Sequence, residues 1–98
     1  MKSAARWDKE AAETLAIQAL AFIGEEPERL AAFLQSSGLA IEQVRDAAQQ
    51  SGFLVGVLEH MLGDESLLLA FAASARLDPA AIEQARAALA REGYRRSP

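Results

Sequence analysis

The chain has 98 residues, of which 51% are hydrophobic, and it contains no cysteine. This length suits one domain with a single core, and the lack of cysteine excludes disulfides, thiolate metal sites and a cysteine nucleophile. The formal net charge is −4, but residues 10–75 alone carry ten acidic residues against two arginines, a balance of −8. An acidic body repels phosphate, which argues against general nucleic-acid binding.

The chain start shows neither a long apolar stretch nor a cleavage pattern, so we expect no signal peptide. The most apolar region, residues 53–73, is interrupted by Glu59, His60, Asp64 and Glu65. These polar side chains make a transmembrane helix unfavourable. We therefore expect a cytoplasmic protein that does not contact membranes.

Cap residues, prolines and glycines divide the chain into six expected helices, at about residues 9–23, 27–37, 41–49, 52–62, 65–75 and 79–91. The expected side-chain N-caps are Asp8, Ser51, Asp64 and Asp78. Valines and other strand-forming residues are few. The sequence therefore predicts an all-α fold, a compact bundle of five to six short helices. We expect a single helical domain over residues 1–98, with a core of about 8–91 and flexible ends at 1–7 and 92–98.

Comparison of the chain with itself at an offset of 38 residues reveals a weak internal repeat. Seven identities fall in one ungapped register: Leu20/Leu58, Leu30/Leu68, Ala32/Ala70, Phe33/Phe71, Ser36/Ser74, Leu39/Leu77 and Ala47/Ala85. Most are apolar residues at core-type positions. The pattern favours duplication over chance alignment of Ala- and Leu-rich helices. It predicts two pseudo-repeated three-helix units with a similar helix-turn-helix-like corner in each.

Residues 67–91 have the outline of a DNA-reading helix-turn-helix, with small Ala72, a turn at Arg76 and aliphatic Ile82. The second helix, however, begins Pro-Ala-Ala, and base readout needs hydrogen-bonding side chains there. A helix pair that packs within the bundle is therefore our preferred interpretation. Under the DNA-binding alternative, the candidate contacts are Gln84, Arg86, Arg91, Arg95 and Arg96.

Few residues in the sequence support a catalytic site or a metal-binding site. His60 is the only histidine, and it stands where Gly63 is expected to end a helix, a favourable place for partial positive charge. No nucleophile elbow or phosphate-binding loop is present in the sequence. We expect no enzyme activity, no catalytic residues, no cofactor and no metal. Gly56, inside an apolar helix, costs about 1 kcal/mol relative to alanine, so we expect a close helix crossing there.

Three stretches carry a resemblance to a known family: "ALAFIGEEPERLAAFLQSSGL", "GFLVGVLEHMLGDESLLLAFA" and "LDPAAIEQARAAL". The chain resembles a small bacterial family of uncharacterised proteins, domain of unknown function number three-five-seven-two, over about Ala11 to Ala90. The resemblance implies a compact bacterial all-α domain. It implies no function and no functional residues.

We expect a non-catalytic helical domain that acts through protein–protein interaction or self-association. The first, fourth and fifth helices carry many large apolar residues, and a bundle of this size leaves some of them on its surface. The partner is then an unidentified protein or a second copy, and nucleic acid is the less favoured alternative. The candidate partner-binding residues, expected to be exposed, are Phe22, Leu54, Met61 and Leu67.

Overall fold

The structure is a computed structural model that describes the backbone of residues 7–95 and the side chains of residues 7–91. It contains six α-helices, separated near the predicted cap, proline and glycine residues. The helices are α1 (Lys9–Gly24), α2 (Pro27–Ser37), α3 (Ile41–Ala47), α4 (Ser51–Leu62), α5 (Glu65–Ala75) and α6 (Pro79–Arg95). No strand is present between residues 7 and 95. The predicted all-α bundle is confirmed, although α3 ends earlier and α6 ends later than expected.

Three of the four predicted caps are confirmed. Their carboxylates accept backbone N–H bonds at 2.7, 3.2 and 2.9 Å, from Ala11 to Asp8, from Leu67 to Asp64 and from Ala80 to Asp78. The prediction for Ser51 is wrong: Ser51 is already helical, and Gln50 holds the cap position without a side-chain bond. The Ser51 hydroxyl instead donates to Glu13 of α1, at 3.4 Å.

The core lies where α1, α4 and α6 meet, because these three helices make the most extensive contacts with one another. α2 packs against α1, and α5 packs against α4. The molecule is flat, with extents of 42 × 36 × 18 Å. Its largest fully buried side chains come from these three central helices: Ile23, Leu58, Met61, Ile82, Leu89 and Val57. None of the helices over residues 7–95 has both the length and the apolar character needed to cross a bilayer.

The two halves of the chain share local structure at the predicted offset. α2 and α5 are both 11 residues long and lie 38 residues apart. Each ends in a residue with left-handed backbone, Gly38 at φ 76° and Arg76 at φ 59°. The two turns share this conformation but differ in the next hydrogen bond, since the Leu77 N–H donates to the Ala72 carbonyl at 2.8 Å and the Leu39 N–H donates to the Ser37 hydroxyl at 3.4 Å. This similarity agrees with the predicted repeat, and common descent of the halves stays a prediction.

Some contacts between the two halves of the chain occur twice, once between a pair of residues and once between their counterparts 38 residues away in the other half. Phe33 of α2 packs edge-on against His60 of α4, with ring centroids 5.2 Å apart. The residues at the equivalent positions, Phe71 of α5 and Phe22 of α1, pack at 5.5 Å. Glu13 and Ser51, themselves 38 residues apart, contact each other. Contacts that exchange in this way are what an internal two-fold axis produces.

The correspondence ends at α3 and α6. α6 is 17 residues long and buries Ile82, Ala85 and Leu89 against the bundle. α3 is seven residues long and buries none of its residues, and it takes part in none of the extensive helix pairings. α3 stops early because Gln49 and Gln50 turn the chain into α4. The second unit therefore has a helix across the core that the first unit lacks.

Gly56 does not mark a close helix crossing, so that expectation is wrong. A Cβ atom built on Gly56 would meet no described atom within 4 Å. The neighbouring core contacts of α4 come from Leu54, Val57 and Leu58, which point to the other side of the helix. The space beside Gly56 is open, and nothing in the packing requires glycine there.

Candidate interaction surface

The residues predicted to bind a partner are mostly in the core. The expected exposure of Leu54, Met61 and Leu67 is wrong: these side chains are buried. Phe22 is half-buried, with its ring against Phe71 and under the Arg29 guanidinium, 4.3 Å from the ring centroid. α4 and α5 are apolar around much of their circumference, so the periodicity of their apolar residues does not indicate which face the bundle covers.

The large apolar side chains that are exposed lie elsewhere. Ile17 of α1 is 43% exposed, Ile41 of α3 is 51% exposed and Leu69 of α5 is 48% exposed. Sequence reasoning missed all three. For Ile17 a signal did exist, because it lies one helical turn from the exposed residues Thr14 and Ala21, away from the buried positions of α1.

Ile17 stands in the middle of a stripe along α1. Glu10, Thr14, Ile17, Ala21 and Glu25 follow one another at steps of three or four residues, which places them on one side of the helix. All five are exposed. We call this stripe the α1 outer face. Its centre is apolar or small, and a carboxylate stands at each end.

The equivalent stripe on α4 is less exposed at its centre than the α1 outer face. Val55, the counterpart of Ile17, is half-buried against the core. Glu59, one turn further along α4, reaches Arg86 of α6 at 3.8 Å. Through this ion pair α6 borders this side of α4. α6 also packs extensively on α1, but it leaves the α1 outer face exposed, and α3, its counterpart in the first half, is short and makes no extensive contact with another helix described in residues 7–95.

The cleft beside His60 is small, and two of its polar side chains have partners within the fold. It encloses about 210 Å³ between α2 and α5 and is lined by Arg29, Ala32, His60, Asp64, Ser66, Leu67 and Ala70. Binding pockets usually enclose about 300–1,000 Å³ and converge polar groups on one point. Here Asp64 is engaged in capping α5, and the His60 ring packs on Phe33. Residues 7–91 bring no three His, Asp or Glu side chains together in a metal-binding arrangement.

A second groove, of about 310 Å³, runs between α1 and α5. Phe22 and Phe71 form part of its wall, and Gln18, Ala21 and Glu25 lie along its α1 side. This groove borders the α1 outer face, since Ala21 and Glu25 belong to both. It adds a concave surface beside the C-terminal half of the α1 outer face.

The predicted DNA-contacting residues are partly engaged within the protein. Arg86 makes two hydrogen bonds to the Glu83 carboxylate, at 2.9 and 2.8 Å, besides its ion pair with Glu59. The bond from Arg86 lowers the pKa of the Glu83 carboxyl, and the same bond raises the pKa of Arg86. Gln84 accepts a hydrogen bond from the Trp7 indole at 3.0 Å. Two carboxylates thus neutralise the central arginine of this set.

The remaining members of that set lie at the end of the chain. Arg91 is exposed on α6. Arg95 is the last residue of α6, and its side chain lies outside the described residues, as does all of Arg96. The structure therefore places Gln84, Arg86 and Arg91 on one helix, with the Asp78 carboxylate at the N-terminus of that helix.

Comparison with known proteins identifies a family and nothing closer. No curated protein and no solved structure matches the chain. A family model described as "Protein of unknown function (DUF3572)" matches residues 9–92, which include all six helices except the last residues of α6.

Proposed function

We propose that this chain, which belongs to the DUF3572 family, is a non-catalytic helical domain that works by binding another protein. The observation that carries the proposal is the exposure of three large aliphatic side chains, at Ile17, Ile41 and Leu69, on a bundle whose core is otherwise well covered. Aliphatic surface of this kind loses contact with water when a partner covers it.

The acidic charge of the body supports a protein partner over nucleic acid. Residues 9–75, which contain the first five helices, carry three basic residues against ten acidic residues, a balance of −7. This negative charge repels phosphate and other copies of the same chain, whereas it attracts a positively charged partner. We therefore favour a different, basic protein over a second copy of this chain.

Three surface variants test the proposal. Ile17→Glu, Ile41→Glu and Leu69→Glu each place a charge on one exposed aliphatic position, and Ala11→Glu, Gln43→Glu and Ala73→Glu are matched controls at exposed positions on the same helices. Each tagged protein is used to capture proteins from a bacterial lysate after chemical cross-linking. We expect a captured protein that one aliphatic variant loses and its matched control retains. Identical captures by all six variants and the wild type would overturn the proposal.

DNA binding through residues 67–91 is the second candidate, because α5 and α6 are joined by the short turn typical of a helix-turn-helix. Fluorescence anisotropy with labelled duplex DNA at several salt concentrations separates the two candidates. Under our proposal the anisotropy stays unchanged. A salt-dependent rise that Arg86→Ala and Arg91→Ala weaken would instead favour DNA binding.

A further inference from the structure

We propose that the α1 outer face is a docking site for one amphipathic helix of a partner protein, with basic residues at both ends of the apolar stripe of that helix. This inference rests on the proposed protein-binding function and names the surface and the chemistry of the partner. The partner helix lies beside α1 in the position that corresponds to α6 beside α4.

The fold itself contains an example of such a helix on the equivalent surface. α6 turns Ile82, Ala85 and Leu89 toward the bundle and pairs its Arg86 with Glu59 of α4. Its contact with the core is thus an aliphatic stripe flanked by a basic side chain. The internal two-fold relation places Val55 and Glu59 of α4 at the positions of Ile17 and Ala21 in α1. Ile17 therefore offers the aliphatic contact that Val55 has in α4, whereas Ala21 replaces Glu59, and the carboxylates of the α1 outer face stand at its two ends, at Glu10 and Glu25.

The charges of the α1 outer face determine the ends of the partner helix. Glu10 and Glu25 flank Thr14, Ile17 and Ala21, and both carboxylates are exposed. The basic residue in α1, Lys9, is already paired with Glu13 at 3.7 Å. A basic residue at each end of the bound helix would meet a carboxylate that has no ion pair with any side chain described in residues 7–91, and such a contact increases both association rate and specificity.

A second copy of this chain fits the same face poorly. Two α1 helices packed in parallel would bring Glu10 near Glu10, and two packed antiparallel would bring Glu10 near Glu25. Like charges placed opposite each other at an interface are unfavourable in either case. The aliphatic stripe of α6 is not available to a second molecule either, because Ile82 and Leu89 are fully buried in their own bundle. The charges therefore favour a different, basic partner.

Two synthetic helices serve as probes. Both have leucines at i, i+4, i+7 and i+11, the spacing of one helix face. The first has two arginines at each end, and the second has glutamates in their place. Binding of each fluorescent peptide to the full chain is measured by anisotropy, and the site is mapped by amide shifts of the isotope-labelled protein. We expect the arginine peptide to bind with shifts centred on Thr14, Ile17 and Ala21, and the glutamate peptide not to bind.

Variants of the full chain make the assignment specific. Ile17→Glu should weaken binding of the arginine peptide by at least about tenfold, as expected for the loss of a central apolar contact. Glu10→Gln combined with Glu25→Gln should weaken it about threefold and flatten its salt dependence. Leu69→Glu, at an equally exposed position on α5, should leave it unchanged. Circular dichroism melting confirms that each variant is folded.

Failure of this inference is distinguishable from failure of the proposed function. Shifts centred on Glu59 and Ile82 would mean that the peptide displaces α6, and binding insensitive to Ile17→Glu would mean that it binds at another surface. Either result would overturn the inference. If neither peptide binds but Ile41→Glu or Leu69→Glu loses a captured protein, the inference is wrong and the proposed function holds. If no peptide binds and no variant alters capture, both are wrong.

Discussion

At the scale of single residues, Gly56 is the clearest position where sequence and packing disagree. Glycine in the middle of a helix is less favourable than alanine by about 1 kcal/mol, and a methyl group at this position meets open space. We expect Gly56→Ala to raise the free energy of unfolding by about 1 kcal/mol and the melting temperature by roughly 4–8 °C. Urea unfolding followed by circular dichroism measures this change. A loss of stability would reveal a close neighbour of Gly56 and contradict the open space described above.

Gly38 and Arg76 form a matched pair, since they end equivalent helices with the same left-handed backbone. An L-residue in this conformation is strained by roughly 1 kcal/mol, and glycine is not. Gly38→Ala should therefore destabilise the protein by about 1 kcal/mol. Arg76→Gly should leave stability unchanged or raise it by up to about 1 kcal/mol. Thermal melts of the two variants give the comparison, and effects of the same sign would show that the two turns are not equivalent.

The burial of individual residues could be predicted only in part. Helix α2, with polar residues on most of its surface, has one buried residue, Phe33. α4 and α5 have apolar side chains on several faces, so Leu54, Met61 and Leu67 could not be distinguished from exposed positions by periodicity. Which of their faces is covered depends on helices far away in the sequence. Ile17 differs from these residues, because its helical spacing from Thr14 and Ala21 already places it away from the buried positions of α1.

At the scale of the helices, the aspartate caps are expected to contribute measurably. The Asp64 carboxylate accepts the N–H of Leu67 at the start of α5. Asp64→Ala should lower the free energy of unfolding by about 1 kcal/mol, because that N–H group loses its partner. Glu65→Ala, in the first turn of the same helix, removes a charge but no cap and should cost only a few tenths of a kcal/mol. Chemical denaturation of both variants tests the difference, and equal losses would show that charge, and not capping, stabilises this helix end.

The helices could be predicted well because their start and end signals are local. Asp8, Asp64 and Asp78 cap helices through neighbouring N–H groups, and Pro27 and Pro79 begin helices by their restricted backbone. The lengths of α3 and α6 were less accurate. Their apolar patterns are similar, but α3 is terminated by the turn that leads into α4, while α6 continues to Arg95. That difference leaves the first half of the chain without a counterpart that packs as extensively as α6.

At the scale of the molecule, many structural features of the first half of the chain recur 38 residues later in the second half. The same 38 residues separate α2 from α5, Gly38 from Arg76, and the two members of the Glu13–Ser51 contact. The sequence comparison predicted two similar units, and the aromatic pairs of Phe33 with His60 and of Phe71 with Phe22 are exchanged between them. It could not predict how the units differ, because the surface left open depends on how α1, α4 and α6 pack together.

The charge of the whole molecule leads to a prediction about its oligomeric state. The described body is acidic, and the exposed aliphatic positions Ile17, Ile41 and Leu69 lie on three different helices. Contacts between identical copies through the α1 outer face would oppose carboxylates, as argued above. We therefore expect light scattering to give the monomer mass of 10.5 kDa over a wide concentration range. A mass that rises to twice this value with concentration would contradict the choice of a different partner. If Ile17→Glu then restored the monomer, the α1 outer face would be a self-association surface.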